Sequence, residues 1–221
     1  AAYAAAGGRF RWATPVCGEA SLLPVGDLAS GVLVVNCATE GVWGVEAATG
    51  EVRWQSEVAP ELDLFIDVAP AHVVLDAQDR VVVLDRRSGD EVLARPTSDT
   101  VTSVVLTGDQ LMLASPDSVE AVGLDGAARW QLPDGGTWLG VDGDQIVVAG
   151  EGEPIRVLDD AGHELQRWPA LAAETFPMAI TGGHLLTYAV DVEESAVDLA
   201  TGRTRWRLDP SWSGYPTVDV A

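Results

Sequence analysis

A glycine-centred motif recurs along the whole chain at intervals close to 40 residues. Its clearest copies read GVWGVEAATGEVRW at 41–54 and SAVDLATGRTRW at 195–206. The aligned glycines are Gly8, Gly50, Gly89, Gly126, Gly162 and Gly202, spaced by 42, 39, 37, 36 and 40 residues. That period accommodates four short strands with their turns, which is one blade of a β-propeller. The repeat therefore predicts a repetitive all-β fold.

The residues around each glycine predict a hairpin turn. An acidic residue precedes the glycine by four places at Glu46, Asp85 and Asp198, and by three at Asp159. Carboxylates accept hydrogen bonds from nearby backbone amides, and glycine tolerates the positive φ of a bulged turn. A tryptophan follows the glycine by four places at Trp12, Trp54, Trp130 and Trp206. Leu93 and Gln166 occupy this place in the other two copies. In the second of these, Trp168 lies two residues beyond Gln166, close enough to substitute for it.

Strand patterns surround every copy of the motif, and no helix of three turns or more is predicted. The second copy, for example, reads as four strands, ASLLPVG, GVLVVNCA, GVWGVEA and EVRWQSEV. We expect one propeller domain over residues 1–221, with five complete four-stranded antiparallel blades and a partial one. The partial blade would combine the last residues, GYPTVDVA, with the first strand pair. A six-bladed ring is the favoured interpretation, and an excerpt of a seven- or eight-bladed ring is the alternative.

The motif resembles that of the PQQ-like (pyrroloquinoline-quinone-type) repeat family, whose blades carry an acidic-x-x-Thr-Gly-x-x-x-Trp signature. The resemblance covers nearly the entire chain and implies that each motif tryptophan packs between adjacent blades. Such a side chain buries about 150–250 Å², so packing is a better explanation for these tryptophans than a ligand-binding role.

The family also contains quinoprotein dehydrogenases, and this resemblance would imply an adjacent cysteine pair, a calcium site and an aspartate base. The sequence has no adjacent cysteines, and Asn36 and Gln145 do not belong to a recognisable calcium constellation. We therefore predict the non-catalytic branch of the family, with no cofactor and no catalytic residue.

Other sequence patterns that could bind a metal ion are better explained by turns and strands. His72, His163 and His184 do not have the spacing of metal ligands. Asp142-Gly143-Asp144 lacks the remaining ligands of a calcium loop, and Asp159-Asp160 belongs to a motif turn. No metal site is predicted.

The charge of the chain restricts its partners. There are 34 acidic residues against 13 basic ones, all of them Arg, for a formal net charge of -21. This charge repels nucleic acid and anionic membrane surfaces and favours cationic partners. The composition is typical of a GC-rich bacterial genome, as in actinobacteria, or of a salt-adapted organism. No apolar stretch reaches the roughly 18 residues that a membrane span needs, so we expect any membrane anchor to lie in a segment outside this sequence.

Two cysteines, Cys17 and Cys37, lie on strands predicted to be antiparallel neighbours. Their pairing is geometrically possible and would indicate an oxidising compartment. Two buried free thiols are the alternative.

The function predicted from these features is protein binding or scaffolding outside the cytoplasm, in a secreted or membrane-associated protein. Related PQQ-like propellers include an assembly scaffold of the outer membrane and sensor domains of membrane proteins, so a small-ligand sensor is the alternative. A quinoprotein dehydrogenase fragment is the least favoured. Four aromatic residues outside the motif position are candidate partner contacts, although packing in the core or at an edge is the favoured explanation: Trp43, Trp138, Trp212 and Tyr215.

Overall fold

The computed structural model describes most of the chain as β-strands. It covers residues 2–3, 10–13, 24–25, 31–37, 41–58, 66–77, 79–97, 101–150, 152–172, 174–189 and 193–207. No helix occurs among these residues, and none of them form a segment able to cross a membrane as a helix.

The described strands form one pair and five four-stranded antiparallel sheets, each a meander in chain order. The pair is β1 (Ala2–Tyr3) and β2 (Phe10–Trp12). Sheet I contains β3 (Pro24–Val25), β4 (Val32–Asn36), β5 (Val42–Glu46) and β6 (Val52–Ser56). Sheet II contains β7 (Ile66–Val68), β8 (His72–Asp76), β9 (Arg80–Asp85) and β10 (Glu91–Pro96). Sheet III contains β11 (Ser103–Thr107), β12 (Gln110–Ala114), β13 (Ser118–Gly123) and β14 (Ala128–Pro133). Sheet IV contains β15 (Trp138–Asp142), β16 (Gln145–Gly150), β17 (Glu153–Leu158) and β18 (Glu164–Ala170). Sheet V contains β19 (Thr175–Thr181), β20 (His184–Ala189), β21 (Glu193–Asp198) and β22 (Arg203–Arg207).

The predicted all-β class and the four-stranded unit are confirmed, whereas the number of blades in a ring stays a prediction. By their internal contacts the residues group into two compact units, Ala1–Leu113 with Ala121–Arg129, and Ala114–Glu120 with Trp130–Ala221. The assignment of 1–221 to one domain stays a prediction.

In sheets II and IV the two middle strands are buried on both faces. In β9, Val81, Val82, Val83 and Leu84 are each at most 1% exposed, and in β16 the run from Ile146 to Gly150 is buried. These strands therefore read as continuous apolar runs instead of strict period-two alternation. The last strand of each sheet is more exposed, as the patterns of β6 and β14 show. Its alternation marks it as the outer, solvent-facing strand.

Candidate functional site

The motif turns are held by their carboxylates. Asp85 accepts hydrogen bonds from the backbone N–H groups of Arg87 and Ser88, both at 2.8 Å. Asp198 does the same for Ala200 and Thr201, both at 3.0 Å. These bonds satisfy amides at the point where the chain reverses between the third and fourth strands of a sheet. The carboxylates are thus turn-forming groups.

The pKa of Asp85 lies below its ordinary value of 3.8, chiefly because the Ser88 backbone N–H donates to the carboxylate, with a further bond from Arg87.

We expect Asp85→Asn to lower the free energy of unfolding at neutral pH. A carboxylate with a depressed folded-state pKa contributes stability above its unfolded pKa, and loses it as the pH falls through the folded-state pKa. The difference between the wild-type protein and Asp85→Asn should therefore shrink as the pH falls below the ordinary value of 3.8. Denaturant unfolding at several pH values measures this difference, and Asp90→Asn in the same turn is the control. An equally pH-dependent effect at Asp90 would contradict the assignment.

Four tryptophans link consecutive sheets through a repeated hydrogen bond. In each case the indole Nε1–H donates to a backbone carbonyl in the third turn of the following sheet. The pairs are Trp12 with Ala47 (3.0 Å), Trp54 with Arg86 (2.9 Å), Trp130 with Asp160 (3.0 Å) and Trp168 with Leu199 (3.1 Å). The bond explains why a tryptophan, with its single donor, fits this place better than a phenylalanine.

The same rings lie directly against motif glycines. An added Cβ would overlap the ring of Trp54 at Gly89, of Trp130 at Gly162 and of Trp168 at Gly202. All five motif glycines in the described residues have positive φ, between 67° and 80°. Glycine is therefore required at such a turn for two reasons: its backbone has a positive φ, and the tryptophan ring leaves no room for a Cβ.

A β-bulge directs the motif side chain towards the next sheet. The register shifts by one residue near the start of the fourth strand, so that no residue of the third strand lies directly opposite Arg53, Val92, Leu165 or Arg205. Trp54 then lies opposite Gly44, where a Cβ would overlap its ring, and Trp206 lies opposite Ala196. Val83 and Val157 stand opposite Leu93 and Gln166, which are not tryptophans. A small residue six places before the motif glycine is thus a sequence signal that accompanies Trp54 and Trp206.

Two copies of the motif depart from the pattern in different ways. Leu93 is too short to reproduce the indole contact, and Gly126, the next motif glycine, has no atom within 4 Å of an added Cβ. In the other copy Trp168, two residues beyond Gln166, makes both the glycine contact and the carbonyl bond. The contact therefore persists in sheet IV although the tryptophan has moved.

Trp206 occupies the motif place in sheet V, but its side chain is 44% exposed, whereas Trp54 is 7% exposed. The cross-strand register places Phe176 opposite Tyr188, and places Leu186, Ala196 and Trp206 in one row on the same face. We call this surface the terminal face and define it by Phe176, Leu186, Tyr188 and Trp206. Phe176 and Tyr188 are each 39% exposed. Apolar groups exposed side by side on a sheet indicate a contact surface.

Arg86 is a structural residue that the sequence did not reveal. It lies in the motif turn of sheet II and is only 2% exposed. Its guanidinium donates to the Val32 carbonyl, at 2.8 Å from Nη2, and to the Ala69 carbonyl at 3.2 Å. An arginine in an acidic, polar turn is ordinarily a solvated residue, so no sequence signal distinguished it from Arg87.

The aromatic candidates for partner contact are partly internal. Trp43 is half-buried against Val35, Cys37 and Val45, and its buried Nε1 has no hydrogen-bond partner among the described residues. Trp138 is half-buried against a cluster that includes Ile155. Packing within the fold therefore accounts for both. Trp212 and Tyr215 lie outside the described residues.

The remaining sequence candidates are distributed over several elements. Gly8 and Cys17 lie outside the described residues. Cys37 is buried and disulfide-bonded, and its pairing with Cys17 stays a prediction. Asn36 ends β4 whereas Gln145 begins β16, in different sheets.

The histidines and the paired aspartates take part in turns and strand ends. His72 and His184 begin β8 and β20, and the Nδ1 atom of His163 lies 3.0 Å from a carboxylate oxygen of Asp159. Asp142 accepts a hydrogen bond of 2.5 Å from the backbone N–H of Gly183. In the part of the chain that the structure describes, no three His, Cys, Asp or Glu residues come together as metal ligands.

Two turns of each sheet lie side by side at one end. The N–H of Leu124 in the third turn of sheet III donates to the Asp109 carbonyl in the first turn, at 2.8 Å, and Leu199 donates to Gly183 in sheet V at 2.9 Å. In sheet IV the corresponding turns carry the exposed residues Asp144 and Asp160. We call this edge of a sheet the turn end. It presents carboxylates at positions that the sheets hold fixed.

Comparison with known proteins agrees with the propeller fold. Residues 1–112 match the family described as outer membrane protein assembly factor BamB. The crystal structure of BamB from Moraxella catarrhalis is similar with a TM-score of 0.60 and 17% identity, covering 83% of this chain and 62% of that one. The crystal structure of the computationally designed protein Ika8 gives a TM-score of 0.67 and 15% identity, covering 87% of this chain and 63% of that one. No curated protein matches.

The structural likeness establishes the fold alone at these identities. The number of similar solved chains, 1106, indicates that the fold is common and does not by itself identify a function. This chain spans about three fifths of the length of the two solved structures. Its β-propeller class, of the PQQ-repeat type, is nevertheless clear.

Proposed function

The chain belongs to the PQQ-repeat family described as outer membrane protein assembly factor BamB, and from this membership we propose that it is a non-catalytic, protein-binding scaffold. The family match over residues 1–112 is the observation that carries the proposal. The module acts outside the cytoplasm, as part of a secreted or envelope-associated protein, and residues 1–221 fold as one propeller domain. Its partner is a protein, and a membrane-embedded partner is included in the proposal.

The turn end supports this role because it combines rigidity with exposed charge. In sheets I, II, III and V a backbone hydrogen bond joins the first and third turns, such as that from Leu199 to Gly183. Rigid surfaces bind with a smaller loss of conformational entropy than mobile ones. With a formal net charge of -21, the surface best complements a partner with basic residues, and the charges also accelerate the encounter.

Cross-linking and affinity capture from the native cell envelope, with the full-length parent protein as bait, test the proposal. Asp144→Asn with Asp160→Asn should reduce recovery of the cross-linked partner roughly two- to tenfold at low salt, because both carboxylates lie at the turn end of sheet IV. The matched control is Asp79→Asn with Asp117→Asn, which removes the same charge from turns between second and third strands. Recovery of no partner would contradict the scaffold role, and an equal loss in both pairs would contradict the turn end as the binding surface.

A further inference from the structure

The arginines of this acidic chain are concentrated on the fourth strands of its sheets. Of the 13 arginines in the sequence, seven lie on the fourth strands described for sheets I to V. The fourth strands of sheets I to IV carry one each, and β22 of sheet V carries three. The seven are Arg53, Arg95, Arg129, Arg167, Arg203, Arg205 and Arg207. Sheet V therefore ends in the most basic of the described strands.

Ion pairs within a sheet account for one arginine on most of these strands. The pairs are Arg53 with Glu46, Arg129 with Asp125 (3.3 Å), Arg167 with Glu164 (2.8 Å) and Arg205 with Asp198 (3.4 Å). One such pair does not explain why β22 has two further arginines. Within the described residues, Arg203 forms no ion pair. Its charge is available to a partner.

β22 is also the most exposed of the fourth strands. All five of its residues are exposed, and the side chain of Arg205 is 62% exposed. The fourth strands of sheets I to IV each contain at least one buried or half-buried residue. The strand order of sheet V is β19-β20-β21-β22, so no described strand pairs with the outer side of β22. Its outer backbone N–H and C=O groups can therefore pair with an added strand.

The register places positive charge on both faces of this edge. Arg203 lies opposite Asp198, and Arg207 lies opposite Ser195. Residues three apart on a strand point to opposite faces of the sheet, so the two arginines opposite them do the same. An added strand would meet both charges if it carried acidic residues three places apart, one on each face.

Charge determines which strand this edge accepts. Arginines on a free edge repel a second copy of the same edge, which prevents pairing between identical sheets. They favour an acidic strand, because charge complementarity selects one partner and rejects others. A long polyanion such as nucleic acid is disfavoured, since beyond β22 it meets the field of a chain with a net charge of -21. A short acidic segment of a protein meets mainly the arginines.

We propose that β22 is a docking edge for an acidic, extended segment of a partner protein. The segment pairs with the outer side of Arg203–Arg207 as a fifth strand of sheet V, and its carboxylates contact Arg203 and Arg207 on the two faces. The turn end carries carboxylates and concerns a basic partner, so the two surfaces take partners of opposite charge. The docking edge is thus independent of the turn end.

Binding of a fluorescein-labelled peptide, Thr-Glu-Val-Val-Glu-Val-Thr, to the whole chain tests the proposal. Fluorescence anisotropy at low salt measures the Kd. A peptide with glutamine in place of both glutamates is the control for charge. A peptide N-methylated at its three valines is the control for strand pairing, because it keeps the carboxylates and loses backbone donors. Both controls should bind at least about threefold more weakly than the acidic peptide.

Arg203→Gln with Arg207→Gln should weaken binding of the acidic peptide roughly three- to tenfold, because two exposed ion pairs are lost. Arg80→Gln with Arg87→Gln is the matched control, since it removes the same charge from exposed arginines of sheet II. This control should leave the Kd within about twofold of the wild-type value. Sodium chloride at about 0.5 M should remove most of the difference between the wild-type protein and the β22 variant.

Several results would overturn the proposal. One is the absence of binding up to about 1 mM peptide, and another is equal affinity for the acidic and glutamine peptides. An equal loss in the two arginine variants, or full binding of the N-methylated peptide, would mean that charge alone explains the contact. Tighter binding of single-stranded DNA at Arg203 and Arg207 would mean that the edge takes nucleic acid instead of protein. Asp144→Asn with Asp160→Asn should leave the Kd unchanged, which separates this test from that of the turn end.

Discussion

Trp54→Ala should lower the free energy of unfolding by about 3–5 kcal/mol. The side chain is 7% exposed, lies among Val34, Val73 and Leu84, and donates to the Arg86 carbonyl at 2.9 Å. Its removal leaves a cavity between two sheets and takes away the indole donor of the carbonyl of the buried Arg86. A native domain is stable by only about 5–15 kcal/mol, so the variant loses a large share of its total stability. Equilibrium unfolding in denaturant measures the change.

Two further variants divide this loss into its parts. Trp54→Phe keeps an aromatic ring but loses the Nε1–H donor, and should cost about 1–3 kcal/mol. Val52→Ala on the same strand, at a residue that is 42% exposed, should cost less than about 1 kcal/mol. A change below about 1 kcal/mol for Trp54→Ala itself would mean that the contact between sheets I and II contributes little to stability.

Gly89→Ala should be more destabilising than Gly126→Ala, although the two glycines have nearly the same backbone conformation. Their φ angles are +78° and +80°, a region that costs an alanine about 1–2 kcal/mol. At Gly89 the new Cβ would also lie 2.7 Å from ring atoms of Trp54, whereas at Gly126 it meets no atom within 4 Å. Overpacking adds about 1–3 kcal/mol, so we expect about 2–5 kcal/mol at Gly89 and about 1–2 kcal/mol at Gly126.

A double-mutant cycle identifies the source of the difference between the two glycines. In a Trp54→Ala background the cost of Gly89→Ala should fall to that of Gly126→Ala, because the ring that caused the overlap is absent. Denaturant unfolding of the four proteins gives the coupling free energy. An unchanged cost of Gly89→Ala in that background would show that the ring contact does not set the effect.

The strand content and the four-stranded unit were predictable because they depend on local sequence. Turn glycines such as Gly50 and Gly202 recur along the chain at nearly constant intervals, and each interval can hold only short strands. The propeller class followed from the motif, as the family match and the similar solved structures confirm.

The surroundings of a motif residue were less predictable, because they depend on the neighbouring sheet. Trp54 and Trp206 hold the same place in the motif but differ in exposure, 7% against 44%. The burial of Arg86 depends on carbonyls 54 and 17 residues away in sequence. Neither property is encoded in the few residues around the turn.

The candidate binding surface was the least predictable part. Acidic residues are abundant throughout the sequence, so their spacing gave no indication of which carboxylates share an edge. Asp144 and Asp160 come from different turns, and the pairing of strands brings those turns to the same end of sheet IV. Asp142, adjacent to the first turn, is instead occupied by a hydrogen bond to Gly183.

The displaced tryptophan of sheet IV has a consequence for the divergence of such chains. Trp168 reproduces the contact of a motif tryptophan from a position two residues further along the strand. Each interface needs an indole ring in contact with a motif glycine and a backbone carbonyl. More than one position of the tryptophan along the strand can provide these contacts. Mutations can therefore accumulate in one repeat without disturbing the others, as long as each interface is re-formed locally. This tolerance accounts for a chain that keeps its architecture at 15–17% identity to the solved structures it resembles.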